Sequence, residues 1–127
     1  MSIKELINKI NQSVDELDLV TTRKYLEENM EALRDNKRFL KSNARELLDF
    51  LTSRLESGYE PLKREALATV TAINSYATKF DVRSIKMIIK GKGPLLIRKD
   101  FVDYLNSDAK IILEGMGAIE KHENEKA

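Results

Sequence analysis

The chain has 127 residues, of which 42% are hydrophobic and 34% charged, a balance typical of a helix-rich globular protein and not of a disordered one. The net charge is +1, so attraction to nucleic acid or to an anionic membrane requires an uneven distribution of charge. The absence of cysteine excludes disulfides, thiolate nucleophiles and cysteine metal sites. The first 17 residues lack the apolar core of a signal peptide, and no apolar run approaches the roughly 20 residues that span a bilayer. We therefore expect a cytoplasmic protein, of a bacterium or a phage, without membrane contact.

The N-terminal segment predicts an amphipathic helix. Ser2 and Glu5 have the spacing of a capping box, and Asp18 is placed either to break the helix or to cap the next one. Apolar residues recur at steps of mostly three and four, which puts them on one face: Ile3, Leu6, Ile7, Ile10, Val14 and Leu17.

The pattern then predicts three further helices, over about 19–35, 37–57 and 61–79. Asn36 is placed to end the first of them, and Gly58 to cap the C terminus of the second. Pro61 suits the first turn of the third, because the missing N–H has no helical partner there. Small and β-branched residues along this third helix predict that neighbours pack closely on more than one side, with Phe80 extending its apolar surface.

The segment over residues 82–99 has two interpretations. Asp81 can cap a helix that runs to Lys90; alternatively, residues 91–94 (Gly-Lys-Gly-Pro) can form the turn of a hairpin between two apolar segments. We favour the helix, with residues 95–97 as extended chain or a short strand. A short helix over 99–105 follows, and then a last helix from Ser107 or Asp108 to about residue 114.

Together these elements predict an all-α fold, a compact bundle of about six helices, with one β-hairpin near residues 85–99 as the alternative. The predicted domain spans residues 1–119, divided into N-terminal helices (1–58) and a more basic part (61–119). Residues 120–127 are strongly charged and are expected to form a flexible tail. No convincing internal repeat is evident in the sequence.

The sequence contains few residues in an arrangement typical of an enzyme's active site. The only histidine, His122, falls in the predicted tail, where nothing would fix its geometry. Glu27, Glu28 and Glu31 lack the histidines of a carboxylate di-iron bundle, and residues 91–94 lack the spacing of a phosphate-binding loop. We predict no enzymatic activity, no metal and no cofactor, and no small-molecule substrate is evident.

Positive charge is concentrated in residues 79–99, which carry seven basic side chains and one acidic one. The first four basic residues follow at steps of four, three and four, so a helix would project them from one face. A solvated amphipathic helix that binds nothing shows the same spacing. Two further lysines and an arginine nearby strengthen the interpretation as a nucleic-acid site. The candidate nucleic-acid-binding residues are Lys79, Arg83, Lys86, Lys90, Lys92, Arg98 and Lys99.

Residues 75–82 (Ser-Tyr-Ala-Thr-Lys-Phe-Asp-Val), together with Met87, resemble a helix-turn-helix. Residues 93–105 are similar to the wing and following helix of phage excisionases and related winged regulators. The resemblance covers about a quarter of the chain and implies a DNA-binding regulator. Asp81 replaces the usual turn glycine of that family, Lys90 replaces an apolar residue, and residues 1–60 have no counterpart.

Protein association is the competing interpretation. The apolar stripes of the helices near the N terminus are wider than a three-helix unit requires, which is typical of helices that dimerise or bind a partner helix. The candidate interface residues are Ile3, Ile7, Ile10, Val14, Phe39 and Phe50. The sequence therefore predicts a regulatory or adaptor protein acting through helix-mediated protein–protein interaction, self-association included, with DNA binding through residues 79–99 as the alternative.

Overall fold

Helices account for all the regular secondary structure in the described part of the chain. A computed structural model describes residues 1–57 and 60–121, and in those residues there is no strand. The predicted all-α fold is confirmed. The helices are α1 (Ile3–Asp15), α2 (Leu19–Glu28), α3 (Met30–Asp35), α4 (Ser42–Ser57), α5 (Arg64–Thr78), α6 (Val82–Ile89), α7 (Gly93–Leu96), α8 (Lys99–Val102) and α9 (Ser107–Gly115), with a 3-10 turn at Lys37–Phe39. Gly58 as a helix cap, His122 and most of the predicted tail (122–127) lie outside the described residues.

The predicted helix starts are confirmed where a side chain caps the helix. The Ser2 hydroxyl accepts from the Glu5 N–H at 3.1 Å, and the Glu5 carboxylate accepts from the Ser2 N–H at 3.0 Å, which completes the capping box of α1. Asp18 caps α2. Asp81 caps α6 in the same way, with its carboxylate accepting from the Ser84 N–H at 3.1 Å.

Four predicted boundaries are wrong. The helix expected over 99–105 ends at Val102, and in the other three cases the backbone leaves the helical region. The helix expected over 19–35 is interrupted at Asn29, where φ is −132° and the side-chain amide donates to the Tyr25 carbonyl. The helix expected from residue 37 begins only at Ser42, since Leu40 is extended. The helix expected from residue 61 begins at Arg64, after an extended residue 63.

The hairpin alternative for residues 85–99 is wrong, and so is the extended chain expected over 95–97. The chain turns at Gly91, where φ is +78°, and enters the short helix α7 directly. Pro94 lies in the first turn of α7, where its missing N–H breaks no helical hydrogen bond. Leu96 and Ile97 are buried, because α7 turns them into the core.

The expectation that the helix after Pro61 is buried on more than one side is also wrong. A single stripe of α5 reaches the core, through Ala66, Val70, Ile73 and Ala77. Leu67 lies on the opposite side and is 40% exposed. Tyr76 and Phe80 were expected to extend the apolar surface of this helix; Tyr76 packs against the core, whereas Phe80 is 70% exposed.

An internal repeat that the sequence did not reveal is built around two asparagines. Asn11 of α1 donates to the Phe39 carbonyl at 3.2 Å and accepts from the Lys41 N–H at 2.9 Å. Asn74 of α5 donates to the Tyr104 carbonyl at 3.2 Å and accepts from the Asn106 N–H at 2.8 Å. Each asparagine therefore fixes the first helix of its half to the segment that opens the last helix.

The turn between the first two helices of each half is repeated as well. Leu17 and Phe80 both have left-handed backbones, with φ of 61° and 55°, and each precedes a capping aspartate. Asp18 and Asp81 have almost the same dihedral angles (φ −86°, ψ 71° and φ −86°, ψ 76°). We call residues 3–57 the first half and residues 64–119 the second half. Both contain a helix, this turn, a second helix, two short helical segments and a last helix.

The buried core runs continuously through both halves. Leu47 and Leu48 of α4 belong to the same cluster as Ile85 of α6 and Phe101 of α8, and none of these four residues is measurably exposed. The Cα of Gly93 packs so close to α4 that an added Cβ would lie 3.3 Å from a Leu47 methyl group. The two halves therefore share a core, and the surfaces left outside it are the places for a functional site.

Candidate functional site

The basic stretch divides into exposed residues and one buried residue. Arg98 is 6% exposed, whereas the other candidate nucleic-acid-binding residues have exposed side chains: Lys79, Arg83, Lys86, Lys90, Lys92 and Lys99. The predicted helical spacing is present for Arg83 and Lys86 in α6 and for Lys90 at its C-terminal end, so these three cations lie on one face. Lys79 was expected on the same face, but it follows α5 and precedes the non-helical turn that leads into α6. Lys92 and Lys99 line two other clefts, and Arg98 is buried, so the cations of α6 are Arg83, Lys86 and Lys90.

Arg98 is held inside the protein by hydrogen bonds. Its guanidinium donates to both carboxylate oxygens of Asp100, at 3.0 and 2.7 Å, and to the Glu60 carbonyl at 2.6 Å. These bonds lower the pKa of Asp100 below its usual value, chiefly through the hydrogen bond from the Arg98 side chain. Arg98 thus joins the loop before α5 to α8, which is a structural role and not that of a surface cation.

The position of α6 is set by its cap and by its apolar side. Asp81 accepts from both the hydroxyl and the N–H of Ser84, and the hydroxyl bond, at 2.7 Å, is the larger cause of the lowered pKa of Asp81. Ile85 and Ile89 point into the core. With these residues fixed, the remaining side of α6 faces solvent.

That exposed side carries two large apolar side chains among its cations. Phe80 is 70% exposed and Met87 is 73% exposed. In helical projection Met87 lies on the same side of α6 as the basic residues, since it is four residues after Arg83 and three before Lys90. Phe80 lies in the turn that leads into α6, next to Lys79 in the chain. We call this surface the α6 face; it consists of Lys79, Phe80, Arg83, Lys86, Met87 and Lys90.

Phe80 and Met87, the two apolar members of the α6 face, were not among the predicted site residues. Phe80 was expected to extend the apolar surface of the preceding helix, and Met87 was named only for the helix-turn-helix resemblance. A helical projection of residues 83–90 alone places Met87 beside Arg83 and Lys90. Nothing in the sequence marks the left-handed backbone that turns Phe80 outward, because that conformation usually falls on glycine.

The element that resembles a helix-turn-helix consists of α5, a three-residue turn at 79–81 and α6. The left-handed residue of the turn is Phe80, and the residue that follows it is the capping Asp81. Ile85 is fully buried and Lys90 is exposed. The same helix–turn–helix geometry joins α1 to α2, where the resemblance had no counterpart.

Half of the residues proposed as a protein interface lie within the protein core. Ile7, Ile10 and Val14 are at most 6% exposed, so a partner does not reach them in the folded chain. Ile3 and Phe39 are 38% and 54% exposed, and the guanidinium of Arg38 stacks 4.5 Å from the centroid of the Phe39 ring. Phe50 is half-buried against the core. The structure does not gather these six residues on one surface.

A cleft of about 300 Å³ lies between α2, the segment 96–102 and the residues after α9. Its floor is apolar, with Leu19, Val20 and Val102 among the lining residues. Its rim mixes Arg23, Lys99 and Lys121 with Glu114 and Glu120, so the cleft presents no dominant charge. In the described ranges no group of three or more acidic or histidine side chains is arranged to hold a metal ion.

Comparison with family models, curated proteins and solved structures finds no match to this chain. Over residues 1–57 and 60–121, none of the helices has the length and apolarity needed to cross a membrane. Function is therefore inferred from the chemistry of the surface, and the α6 face combines exposed apolar groups with charge of one sign.

Proposed function

We propose that the protein is a non-enzymatic, cytoplasmic interaction module that binds an acidic and partly apolar surface of a partner protein through the α6 face. The observation that carries the proposal is the exposure of Phe80 and Met87 among four cations. Aromatic residues and methionine are enriched in the centres of protein interfaces, where they supply most of the binding energy.

The charges of the α6 face define the partner's chemistry. Arg83, Lys86 and Lys90 share the exposed side of α6 with Met87, Lys79 precedes Phe80 in the chain, and Asp81 accepts hydrogen bonds from Ser84. Exposed cations speed association and select acidic partners more than they add affinity. Covering Phe80 and Met87 supplies the burial that an ordinary solvated helix face cannot provide.

Site-specific photo-cross-linking tests this proposal. Benzophenone-phenylalanine is placed at Met87 in one protein and at Ile111, which is 64% exposed, in a control protein. On irradiation in the producing cells, we expect a discrete adduct from position 87 that is sensitive to protease and resistant to nuclease. A second copy of the chain as the adduct would identify self-association.

The adduct should be lost when Arg83 and Lys90 are changed to Ser in the same protein, because the acidic partner loses its counter-charges. The matched control changes Lys9 and Lys24, two exposed lysines outside the α6 face, and should keep the adduct. Equal cross-linking from positions 87 and 111, or none from either, would refute the proposal.

Nucleic-acid binding is the second candidate, favoured by the six exposed cations between residues 79 and 99. Phosphate contacts of this kind give an affinity that falls steeply with salt. On this alternative, changing Arg83, Lys86, Lys90 and Lys92 to Ala should weaken retention on duplex DNA and flatten its salt dependence, whereas Arg98→Ala should act only through stability. Failure of the unmodified protein to bind duplex DNA at low salt would exclude this candidate.

A further inference from the structure

Charges of opposite sign are separated along this chain. Residues 1–60 carry 10 basic and 12 acidic side chains, whereas residues 61–110 carry 10 basic and 5 acidic ones. Part of the acidic charge is concentrated in residues 27–35, which carry four acidic side chains and one basic one. The net charge of +1 is therefore the sum of parts of opposite sign, and such parts attract each other between copies of one chain.

An exposed acidic surface lies at the end of α2 and along α3. Glu28, Glu31 and Asp35 are exposed, and none of the three forms an ion pair with another described residue. Glu31 and Asp35 are four residues apart on α3, so they lie on one side of it. Among them, Ala32 is exposed and Met30 is half-buried. We call this surface the α3 face; it consists of Glu28, Met30, Glu31, Ala32 and Asp35.

The α3 face has the chemistry that the α6 face requires of its partner. It offers three carboxylates to the three cations of α6, and it offers the apolar surface of Met30 and Ala32 to Phe80 and Met87. Within the described ranges no ion pair joins the cations of α6 to any carboxylate, those of the α3 face included. The two faces therefore do not neutralise each other inside one chain, and a second copy can pair them.

We propose that the partner of the α6 face is a second copy of this chain, bound through its α3 face. This inference rests on the proposed function and names the partner. The contact joins two different surfaces, so it closes into a ring of copies where the rotation between them allows and otherwise extends from copy to copy. Exposed charges contribute to it, so self-association weakens as the salt concentration rises.

The chain contains no cysteine, so introduced cysteines report the contact directly. Ala32→Cys and Met87→Cys are made in separate full-length proteins, mixed in equal amounts and treated with a short bis-maleimide cross-linker. We expect the mixed adduct in about tenfold excess over adducts between like copies, because the contact joins α3 to α6. Ile111→Cys, at a position 64% exposed and outside both faces, replaces Met87→Cys as the matched control and should give no such excess.

Sedimentation equilibrium of charge-reversed variants tests the complementarity. The variants are R83E/K86E/K90E on the α6 face and E28K/E31K/D35K on the α3 face. Each should weaken self-association by about tenfold or more, because three exposed ion pairs are lost. An equal mixture of the two should recover it, because the charges of the two faces are again of opposite sign. The control for net charge is K4E/K9E/K63E, which should associate like the unmodified protein.

The outcomes separate the identity of the partner from the proposed function. A prevailing adduct between two Met87→Cys copies would place the α6 faces against each other and overturn the inference. A chain that stays monomeric at every concentration and gives no mixed adduct would overturn it as well. In either case the photo-cross-linking from Met87 decides separately on the proposed function, which stands if the adduct contains a protein and fails if no adduct forms.

Discussion

Replacing Arg98 tests quantitatively whether this buried cation stabilises the fold, unlike the exposed cations of the same stretch. Arg98→Ala removes one bidentate ion pair and one hydrogen bond to the Glu60 carbonyl. The Asp100 side chain remains 45% exposed, so solvent screens the ion pair and its contribution is limited to about 1 kcal/mol. The charge-assisted bond to the carbonyl contributes about another 1–1.5 kcal/mol.

A decrease of about 2 kcal/mol in the free energy of unfolding corresponds to a clear decrease in Tm. An unfolding entropy of roughly 2.1 cal/mol/K per residue predicts a Tm lower by about 7 °C for a chain of this length. Circular dichroism melting measures it. Lys99→Ala is the matched control, because Lys99 is the exposed neighbour and should shift Tm by less than about 2 °C. Equal Tm values for the two variants would show that Arg98 is not part of the folded framework.

Three further changes test other parts of the structure. Asn74→Ala and Asn11→Ala should each cost about 1–2 kcal/mol in urea unfolding, because each removes two equivalent hydrogen bonds; a cost at only one site would contradict the internal repeat. Gly117→Ala should lower the free energy of unfolding by about 2 kcal/mol, because of its left-handed backbone and its close approach to Asp18. Gly115→Ala, with no atom within 4 Å of the added Cβ, should not lower it, and equal effects would argue against the close approach of Gly117 to Asp18. The pKa values of Asp81 and Asp100 are lowered in the folded protein, so their stabilisation is present above the unfolded pKa of about 3.9 and is lost as the pH falls further through the folded values. Asp100→Asn should therefore reduce the drop in urea midpoint between about pH 5 and pH 2.5, and an unchanged drop would count against the ion pair.

Local signals in the sequence predicted the helices. The predicted helix boundaries are wrong where a contact with a residue far along the chain determines where the helix begins. Ser2, Asp18 and Asp81 mark helix starts through bonds to residues three positions away, so the sequence alone identified them. The start of α4 depends on Asn11, whose hydrogen-bond partner lies 30 residues further along the chain. A periodic pattern carries no information about such a contact.

The internal repeat leaves only a faint trace in the sequence. Ile10-Asn11 and Asp18 in the first half recur as Ile73-Asn74 and Asp81 in the second, with the same spacing. Between these positions the side chains differ, because each half packs its helices against different neighbours. In each half two hydrogen bonds from the asparagine side chain to the backbone and one aspartate cap hold this geometry, so it recurs although the intervening side chains differ.

The sequence predicted the basic residues of the candidate site but did not predict that Phe80 and Met87 belong to it. Arg83, Lys86 and Lys90 follow from helical spacing alone, whereas the turn at 79–81 separates Lys79 from α6. Arg98 belonged to the same basic stretch, but its burial depends on Asp100 and on a carbonyl 38 residues earlier. Net charge along a segment therefore indicates where a surface lies and does not determine which cations remain on it.

The left-handed residue of each turn provides the last test, because the two halves offset its strain differently. A bulky residue in this conformation costs about 1–2 kcal/mol, which glycine avoids at a somewhat smaller entropic cost. Leu17 packs against the core and so offsets the strain, whereas Phe80 is 70% exposed. Phe80→Gly should therefore stabilise the protein by about 0.5–1 kcal/mol and raise Tm by roughly 2–4 °C. Leu17→Gly should lower the Tm.

If Phe80 is retained for binding, Phe80→Gly should also lose the cross-link from Met87 while the protein becomes more stable. A gain in stability together with a loss of binding is the expected relation between a strained, exposed aromatic residue and its partner, since the interface supplies the burial that the folded chain lacks. Destabilisation by Phe80→Gly comparable to that by Leu17→Gly would instead assign Phe80 a packing role, and the α6 face would lose its central apolar contact.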